Sequence, residues 1–391
     1  MKTDIKTQKG RFYLVTVDLL KGIIIFPMIL GHGVQWYYQT LAIKYEEGSF
    51  AVFVIIATGL LVFPCFLFIY GFNLINSFLR HGKDASNHSK VRGRALKRSL
   101  IFLFIATLGQ VLMAIIRSPE KPELILNYIL TWRLLHIFSF STIALLLVWQ
   151  FAWFLKKFDL KWNLDYIQYL RILLSISLTI ILLLFIFFHS YTLMREKSSP
   201  VILDPLAVLE RAILDIGSYG LIPWLSFSLS GGLIASFLNL SNREIKEIRK
   251  GDILSIFISI LFCVLGFMSL ETERFVTPAL QEPSSFPHVF ISIGVITLVT
   301  TLLIISLDLY QIIPYDTISK VFYPLIIVSN ISLTVYLSHT LIAFLDPTII
   351  PSEPILLILV FLYGLLFVVI AHIWQRWEFK YSLEWIIRKY S

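Results

Sequence analysis

The sequence predicts an all-α fold, a polytopic membrane bundle of about ten transmembrane helices with both termini in the cytoplasm. Of its 391 residues, 57% are hydrophobic and only 15% are charged, and the mean hydropathy is +0.79. Soluble domains of this length do not have such a balance. The apolar runs are continuous and reach the roughly 20 residues that a helix needs to cross a bilayer. An integral, multi-pass membrane protein, expected in the cell membrane, is therefore predicted.

Ten apolar runs define the predicted spans. Their bounds are 13–38, 51–79, 99–116, 134–155, 172–191, 218–238, 253–270, 288–310, 321–344 and 355–375. The connections between them are too short for a soluble domain, so residues 1–391 are taken as a single membrane domain. The N-terminal segment and the gaps after even-numbered spans are rich in Lys and Arg, which places them in the cytoplasm. The net charge of +8 therefore indicates topology, and no nucleic-acid partner is expected.

Span 1 carries three ionisable residues, Asp18, Lys21 and His32, inside an otherwise apolar run. At about 100° per residue they share one stripe of the helix, with His32 about 21 Å along the axis from Asp18. Such stripes usually face a protein interior or a wet cavity. Asp18 and Lys21 could also form a simple intrahelical ion pair. His32 suits proton transfer, and a hydrogen-bonded packing residue is the alternative.

Span 2 and the loop that follows it supply two further candidates. Span 2 contains Pro64, which predicts a kink, and Gly71, which permits close helix approach. Asn73 on the same span is a substrate-binding candidate, with helix packing as the alternative. The loop after span 2 is strongly basic. Topology explains most of its charge, but Arg98, the basic residue nearest the membrane, is a candidate for binding cofactor phosphates.

Spans 4 and 9 complete the set of polar positions. Arg133 and His136 are three residues apart at the start of span 4 and share a face, which suits binding of an anionic or hydroxyl-rich group. An interfacial anchor is an equal interpretation of Arg133. Span 9 is the most polar span, and its residues Ser332, Tyr336 and His339 fall near one face. Such a stripe predicts that span 9 lines a cavity or the bundle centre.

These segments together resemble the transmembrane acyltransferase superfamily, which includes heparan-alpha-glucosaminide N-acetyltransferase and the acyltransferase-3 proteins. The opening R-F-Y-L-V-T-V-D-L-L-K-G-I-I-I-F-P-M-I-L-G-H is similar to the family's R…D-x-x-R-G…H signature. F-P-C-F-L-F-I-Y-G resembles its F-P-W-F-x-F-x-x-G stretch, and L-T-V-Y-L-S-H resembles the acyltransferase-3 motif Y-L-x-H. The tail S-L-E-W-I-I-R is similar to the P-L-E-W-x-x-R tail of a related bacterial group.

The resemblance implies transfer of an acyl group, expected to be acetyl, from cytoplasmic acyl-CoA to a hydroxyl or amine on the outer side. A saccharide-type acceptor, such as a cell-envelope glycan, follows by family analogy. Two departures matter. Lys21 stands where the family has Arg, and the loop from Gln39 to Ser49 lacks the histidine that the glucosaminide enzyme uses. His32 is therefore expected to be the base, as in the acyltransferase-3 pattern.

The remaining roles follow from that scheme. His339 and Tyr336 are expected to orient the acceptor or stabilise the oxyanion. Asp18 and Lys21 would shape the donor channel or pair with each other, and Arg98 would meet CoA phosphates. Asn73, Arg133 and His136 are assigned to the acceptor. No metal-ligand motif is present, so no metal is expected. Membrane lipid is the remaining expected partner, and a homo-oligomer stays open.

Two other function classes stand beside the enzyme. The same polar stripes would line the pathway of a transporter or flippase for a lipid-linked or polar metabolite. Transporters often have repeats with broken helices in matching halves, and no such symmetry is visible in the sequence. Because Lys cannot reproduce a bidentate Arg clamp, a membrane scaffold that has lost activity is the third class.

Overall fold

A computed structural model gives the fold as a bundle of α-helices. It describes residues 14–41, 50–81, 85–117, 134–158, 164–195, 221–238, 245–270, 285–339, 341, 350 and 352–391. Within these ranges there is no β-strand, and nine helical segments are long and apolar enough to cross a membrane. The all-α polytopic fold is confirmed, and the chain is an integral multi-pass membrane protein.

The helices are numbered in chain order. They are α1 (Val15–Thr40), α2 (Phe50–Ala57), α3 (Phe63–His81), α4 (Ala85–Arg117), α5 (Leu134–Lys157), α6 (Tyr166–Arg195), α7 (Leu221–Leu238), α8 (Ile245–Leu270), α9 (Phe286–Leu303), α10 (Tyr315–Val321), α11 (Tyr323–Ser329), α12 (Ser332–Ser338), α13 (Glu353–Gln375) and α14 (Leu383–Tyr390). A π-helical turn, Thr58–Val62, joins α2 to α3, and a second, Ile304–Leu309, continues α9.

Helix α7 is the centre of the bundle, since nearly all of its residues are buried. It packs most closely against α3. A Cβ atom at Gly71 would collide with the backbone carbonyl of Ser228, and one at Gly231 would collide with that of Phe68. The two helices therefore touch backbone to backbone, as small residues allow in membrane proteins. The predicted role of Gly71 in close helix approach is confirmed.

The π-helical turn before α3 accommodates Pro64. Proline has no backbone N–H, so it leaves a carbonyl of the preceding turn without its usual donor. The hydroxyl of Ser292 on α9 donates to the Leu60 carbonyl at 2.6 Å. In a bilayer such a carbonyl must find its partner inside the protein. Span 2 is therefore irregular at the predicted place, and α9 supplies the missing hydrogen bond.

The prediction of one continuous helix over 321–344 is wrong. The described part of this stretch contains two short helices, α11 and α12, which are separated at Asn330 and Ile331. The Asn330 side chain donates to the Ile326 carbonyl at 3.1 Å, which competes with the backbone hydrogen bonds of a helix. Ile331 has φ −121° and ψ 24°, outside the helical range. The helix breaks where this polar side chain turns back on the backbone.

The broken stretch nevertheless crosses the bundle. Asp308, after α9, accepts from the Val15 amide at 2.9 Å, so the end of α9 lies beside the start of α1. The Tyr38 hydroxyl donates to Glu353 at 2.8 Å, so the start of α13 lies beside the opposite end of α1. The chain between Asp308 and Glu353 must pass from one side to the other. Among the described residues, nine long helices and this broken crossing make ten passages.

Candidate functional site

The structure brings two predicted catalytic residues together. His32 lies on α1, and His339 is the residue that ends α12. Their ring centroids are 4.8 Å apart, and the ring of Phe63, at the start of α3, is 5.3 Å from that of His32. The pair joins the beginning of the chain to its last third, so it exists only because α12 packs against α1. We call these two side chains the histidine pair.

One nitrogen of His339 is held by the backbone. Its Nδ1 lies 2.5 Å from the carbonyl oxygen of Tyr336, which can only accept, so Nδ1 carries the proton. Nε2 is then a bare acceptor when the ring is neutral. This atom is buried and has no hydrogen-bond partner among the described residues. His339 is thus an oriented imidazole with one nitrogen available, an arrangement typical of acid–base sites.

His32 is more accessible than its partner. It is partly exposed, whereas His339 is 2% exposed, and the side chain of Gln35 hydrogen-bonds to it. Its two neighbours fix the helix around it. A Cβ at Gly31 would collide with Thr58, and one at Gly33 would press on Val360 of α13. Small residues on both sides therefore let two other helices approach α1 at the level of the histidine.

Tyr336, the third predicted catalytic residue, is part of the same cluster. Its ring centroid is 5.7 Å from that of His339, and its carbonyl fixes the His339 ring. The Ser338 carbonyl, next to His339, accepts from the Tyr363 hydroxyl of α13 at 2.9 Å. The histidine pair is therefore enclosed by α1, α3, α12 and α13.

A cavity of about 370 Å³ lies close to the histidine pair, between α1 and α13. Its lining includes Trp36, Val360 and Tyr363 and is largely apolar, and neither histidine is part of it. Of these lining residues, Val360 packs against Gly33, next to His32, and Tyr363 donates to the carbonyl of Ser338, next to His339. The cavity is thus joined to the histidine pair through residues next to each histidine, and neither ring lines it.

Asp18 and Lys21 form the ion pair that was one of their two interpretations. Their charged atoms are 2.6 Å apart, with 15% and 23% of the side chains exposed. The pair belongs to the start of α1, about 16 Å from His32 at the rise of an α-helix. Asp308 accepts from the amides of Val15 and Thr16 in the same region, at 2.9 and 3.3 Å. Lys21 thus lies among acidic groups. These carboxylates balance its positive charge, so no bound phosphate is needed to explain why a lysine lies here.

Arg98 and His136 lie in a different part of the bundle. Arg98, on α4, is partly buried and close enough to Tyr70 of α3 to act on it electrostatically. Its Nε has no hydrogen-bond partner among the described residues. His136, on α5, is 2% exposed, and its Nε2 lies 3.5 Å from the Thr107 hydroxyl of α4. Both side chains line contacts of α4 with its neighbours, and no described contact joins either of them to the histidine pair.

The other two predicted acceptor residues are not brought to the histidine pair by a described contact. Asn73 is exposed on α3, on the side turned away from its buried neighbours Phe72 and Leu74. Arg133 lies outside the described residues. Their assignment to the acceptor stays a prediction.

Two carboxylates that are not among the predicted site residues have defined partners. Asp308 caps the start of α1, and Glu384 of α14 binds the start of α12. Asp308 is the one charged residue in the predicted span 288–310, and an acid in a membrane segment is itself an indication of function. Glu384 belongs to the quoted tail motif. Each carboxylate holds a helix that carries a histidine of the pair.

Comparisons with protein-family models and with curated proteins each gave no match. The chemistry of the site therefore rests on its geometry and on the motifs of the sequence. Two neighbouring imidazoles, one with a free acceptor nitrogen, can take up and return a proton. The described residues around them offer hydroxyl and carbonyl groups but no carboxylate in contact with either ring.

Proposed function

We propose that this protein is a membrane acyltransferase. It moves an acyl group, expected to be acetyl, from cytoplasmic acyl-CoA to a hydroxyl or amine of a saccharide-type acceptor on the outer side. The observation that carries the proposal is the histidine pair, whose members end two of the segments that resemble acyltransferase motifs. Neither segment alone predicts that its histidine contacts the other.

The reaction needs a base, and His32 is the more accessible candidate. His32 takes the proton from the acceptor as its oxygen or nitrogen attacks the thioester carbonyl carbon. The C–S bond then breaks, the acyl group stays on the acceptor, and the proton passes to the CoA thiolate. A general base of this kind contributes about 10²–10⁴-fold to the rate.

His339 suits orientation of the acceptor better than stabilisation of an oxyanion. An oxyanion needs a hydrogen-bond donor. Because the Nδ1 proton of His339 is engaged by the Tyr336 carbonyl, the neutral ring offers only the acceptor Nε2. Nε2 can accept a hydrogen bond from the hydroxyl of the saccharide-type substrate. This bond would turn the hydroxyl oxygen toward the thioester. Of the two roles expected for His339, its hydrogen bonding favours the first.

The test is label transfer by the purified full-length protein. Radiolabelled acetyl-CoA is supplied with a panel of glycans to wild type, His32→Ala, His339→Ala and the double variant. We expect His32→Ala to lose about 10²–10⁴-fold in rate. The double variant should lose little more than the worse single variant, since residues that act as a unit are not additive. His372→Ala, which alters an exposed histidine of α13, is the matched control and should keep wild-type activity.

Equal transfer by wild type and His32→Ala would contradict the role of His32. Absence of transfer by wild type with every glycan, together with no acetyl-CoA binding by calorimetry, would contradict the acyltransferase.

A transporter or flippase is the second candidate, and the break between α11 and α12 favours it. Discontinuous helices near the middle of the membrane commonly form substrate sites in transporters. In that case the histidine pair would line the pathway of the metabolite. Uptake of a labelled saccharide or lipid-linked saccharide by proteoliposomes, without acetyl-CoA, would support this candidate. Uptake that stops when His32 is replaced would place the pathway at the pair.

A further inference from the structure

Helix α12 begins on a side chain from the far end of the sequence. Glu384, on α14, accepts hydrogen bonds from the Leu333 amide at 2.5 Å and the Thr334 amide at 3.1 Å through Oε1. Its Oε2 accepts from the Thr334 hydroxyl at 2.7 Å. That hydroxyl in turn accepts from the Leu383 amide at 3.0 Å. Four hydrogen bonds therefore join the start of α12 to the start of α14.

These bonds matter because α12 has little structure of its own. It has seven residues, is separated from α11 by the non-helical Ile331, and has no capping side chain at its first position. A helix this short is not stable by itself, and its first amides have no partners within the helix. Glu384 satisfies two of them. The Tyr363 hydroxyl holds the other end through the Ser338 carbonyl.

The orientation of α12 sets the position of His339. His339 directly follows the last residue of α12, and the Tyr336 carbonyl that fixes its ring belongs to the helix. A rotation or shift at the start of α12 therefore moves the imidazole relative to His32 on α1. Such displacements are costly, because an error of about 1 Å in a catalytic group can reduce a rate about 10²-fold.

We propose that Glu384 is a positioning residue, which acts through α12 to hold His339 against His32. Its role in a reaction rests on the proposed function, whereas its structural part stands on the hydrogen bonds alone. The C-terminal helix α14 thereby becomes part of the site, although no described contact joins any of its residues to the histidine pair. Glu378, three residues after the end of α13, is exposed and pairs with Lys380 at 3.6 Å, so it serves as a matched carboxylate.

The experiment compares Glu384→Ala, Glu384→Gln and Glu378→Gln in the full-length protein. Amide hydrogen exchange is followed in the peptide covering 332–338, and C2-hydrogen exchange is followed at His339. We expect Glu384→Ala to speed amide exchange in α12 at least about 10-fold, since local opening becomes easier. The His339 ring should exchange faster, whereas α1 amides should not change. Glu378→Gln should match wild type in every measurement.

Glu384→Gln should keep most of the wild-type protection of the α12 amides and the His339 ring against hydrogen exchange. Its amide oxygen can still accept from Leu333 and Thr334, although the charge is lost. In the transfer assay Glu384→Ala should lower kcat about 10–100-fold with an unchanged KM for acetyl-CoA. Thr334→Val, which removes one hydroxyl of the network, gives a milder second variant should Glu384→Ala not fold. It should shift the exchange of His339 in the same direction.

Wild-type exchange at His339 in Glu384→Ala, or in Thr334→Val if only that variant folds, would overturn the proposal. The exchange measurements do not need catalysis. If wild type transfers no label but Glu384→Ala still exposes His339, the proposed function fails and the positioning by Glu384 stands.

Discussion

At the scale of single residues, hydrogen bonding distinguishes the polar side chains of this bundle from one another. His339 has one nitrogen engaged by a backbone carbonyl and the other buried without a partner among the described residues. Lys21, by contrast, is engaged with Asp18 at 2.6 Å. An unsatisfied buried polar atom costs free energy and therefore suggests a ligand that binds there. For the proposed function, this contrast favours the histidine pair over the charged pair as the reacting centre.

The ion pair on α1 gives a prediction of its own. Removing Lys21 leaves Asp18 without its counterion and near Asp308, whose charge already interacts with it. Breaking a buried pair costs about 3–5 kcal/mol and an exposed one less than about 1. Because these side chains are partly exposed, we expect Lys21→Met to lower stability by about 1–3 kcal/mol. The thermal midpoint of the purified protein measures this.

The double variant Asp18→Asn/Lys21→Met separates the two interpretations of this pair. It removes both charges, so a purely structural pair predicts that most of the lost stability returns. Acetyl-CoA affinity measured by calorimetry should then equal that of wild type. A double variant that is stable but binds acetyl-CoA at least about 10-fold more weakly would instead assign Lys21 to the donor.

At the scale of helices, remote carboxylates fix the segments that carry the two histidines. Asp308 binds the first amides of α1, and Glu384 binds those of α12. The sequence could predict the membrane spans, because each span is recognisable from the apolar composition of its own residues. It could not predict these caps, since each joins segments that lie tens or hundreds of residues apart. The break at Asn330 could not be predicted for a related reason. Although span 9 is the most polar span, the residues on both sides of Asn330 are apolar enough for one continuous helix.

The contact of α3 with α7 gives a prediction at this scale. Gly71→Ala places a methyl group against the Ser228 backbone carbonyl, which cannot move without shifting α7. Overpacking of this kind costs about 1–3 kcal/mol, so the thermal midpoint should fall. Gly109→Ala on α4 is the matched control, because nothing lies within 4 Å of the added atom. It should leave the midpoint unchanged or raise it, since Ala favours helix over Gly.

A fall of equal size for Gly109→Ala would show that the loss does not come from the α3–α7 contact. No fall for Gly71→Ala would show that the two helices can separate at little cost.

At the scale of the whole molecule, the contacts fix which helix ends share a side. The start of α1 lies beside the end of α9, and the Tyr323 hydroxyl donates to Gln375, which joins the start of α11 to the end of α13. Glu353 meets Tyr38 at the opposite end of α1. Because α13 crosses from there, its end lies on the side from which α1 starts, in agreement with ten passages among the described residues. This agrees with the alternation of Lys and Arg, a property of the sequence that needs no knowledge of packing.

The absolute orientation is a prediction that labelling can test. The distribution of basic residues places the end of α13 in the cytoplasm and its start outside. Single cysteines are introduced as Ser352→Cys and Lys380→Cys after Cys65 and Cys263 are replaced by Ala. A membrane-impermeant maleimide should label intact cells only at position 352, and both positions after permeabilisation. Label on both sites in intact cells would contradict the crossing by α13, since the two ends of this helix would then share a side. Label at 380 alone would reverse the orientation, and would place the basic start of α4 outside, where cytoplasmic acyl-CoA cannot reach it.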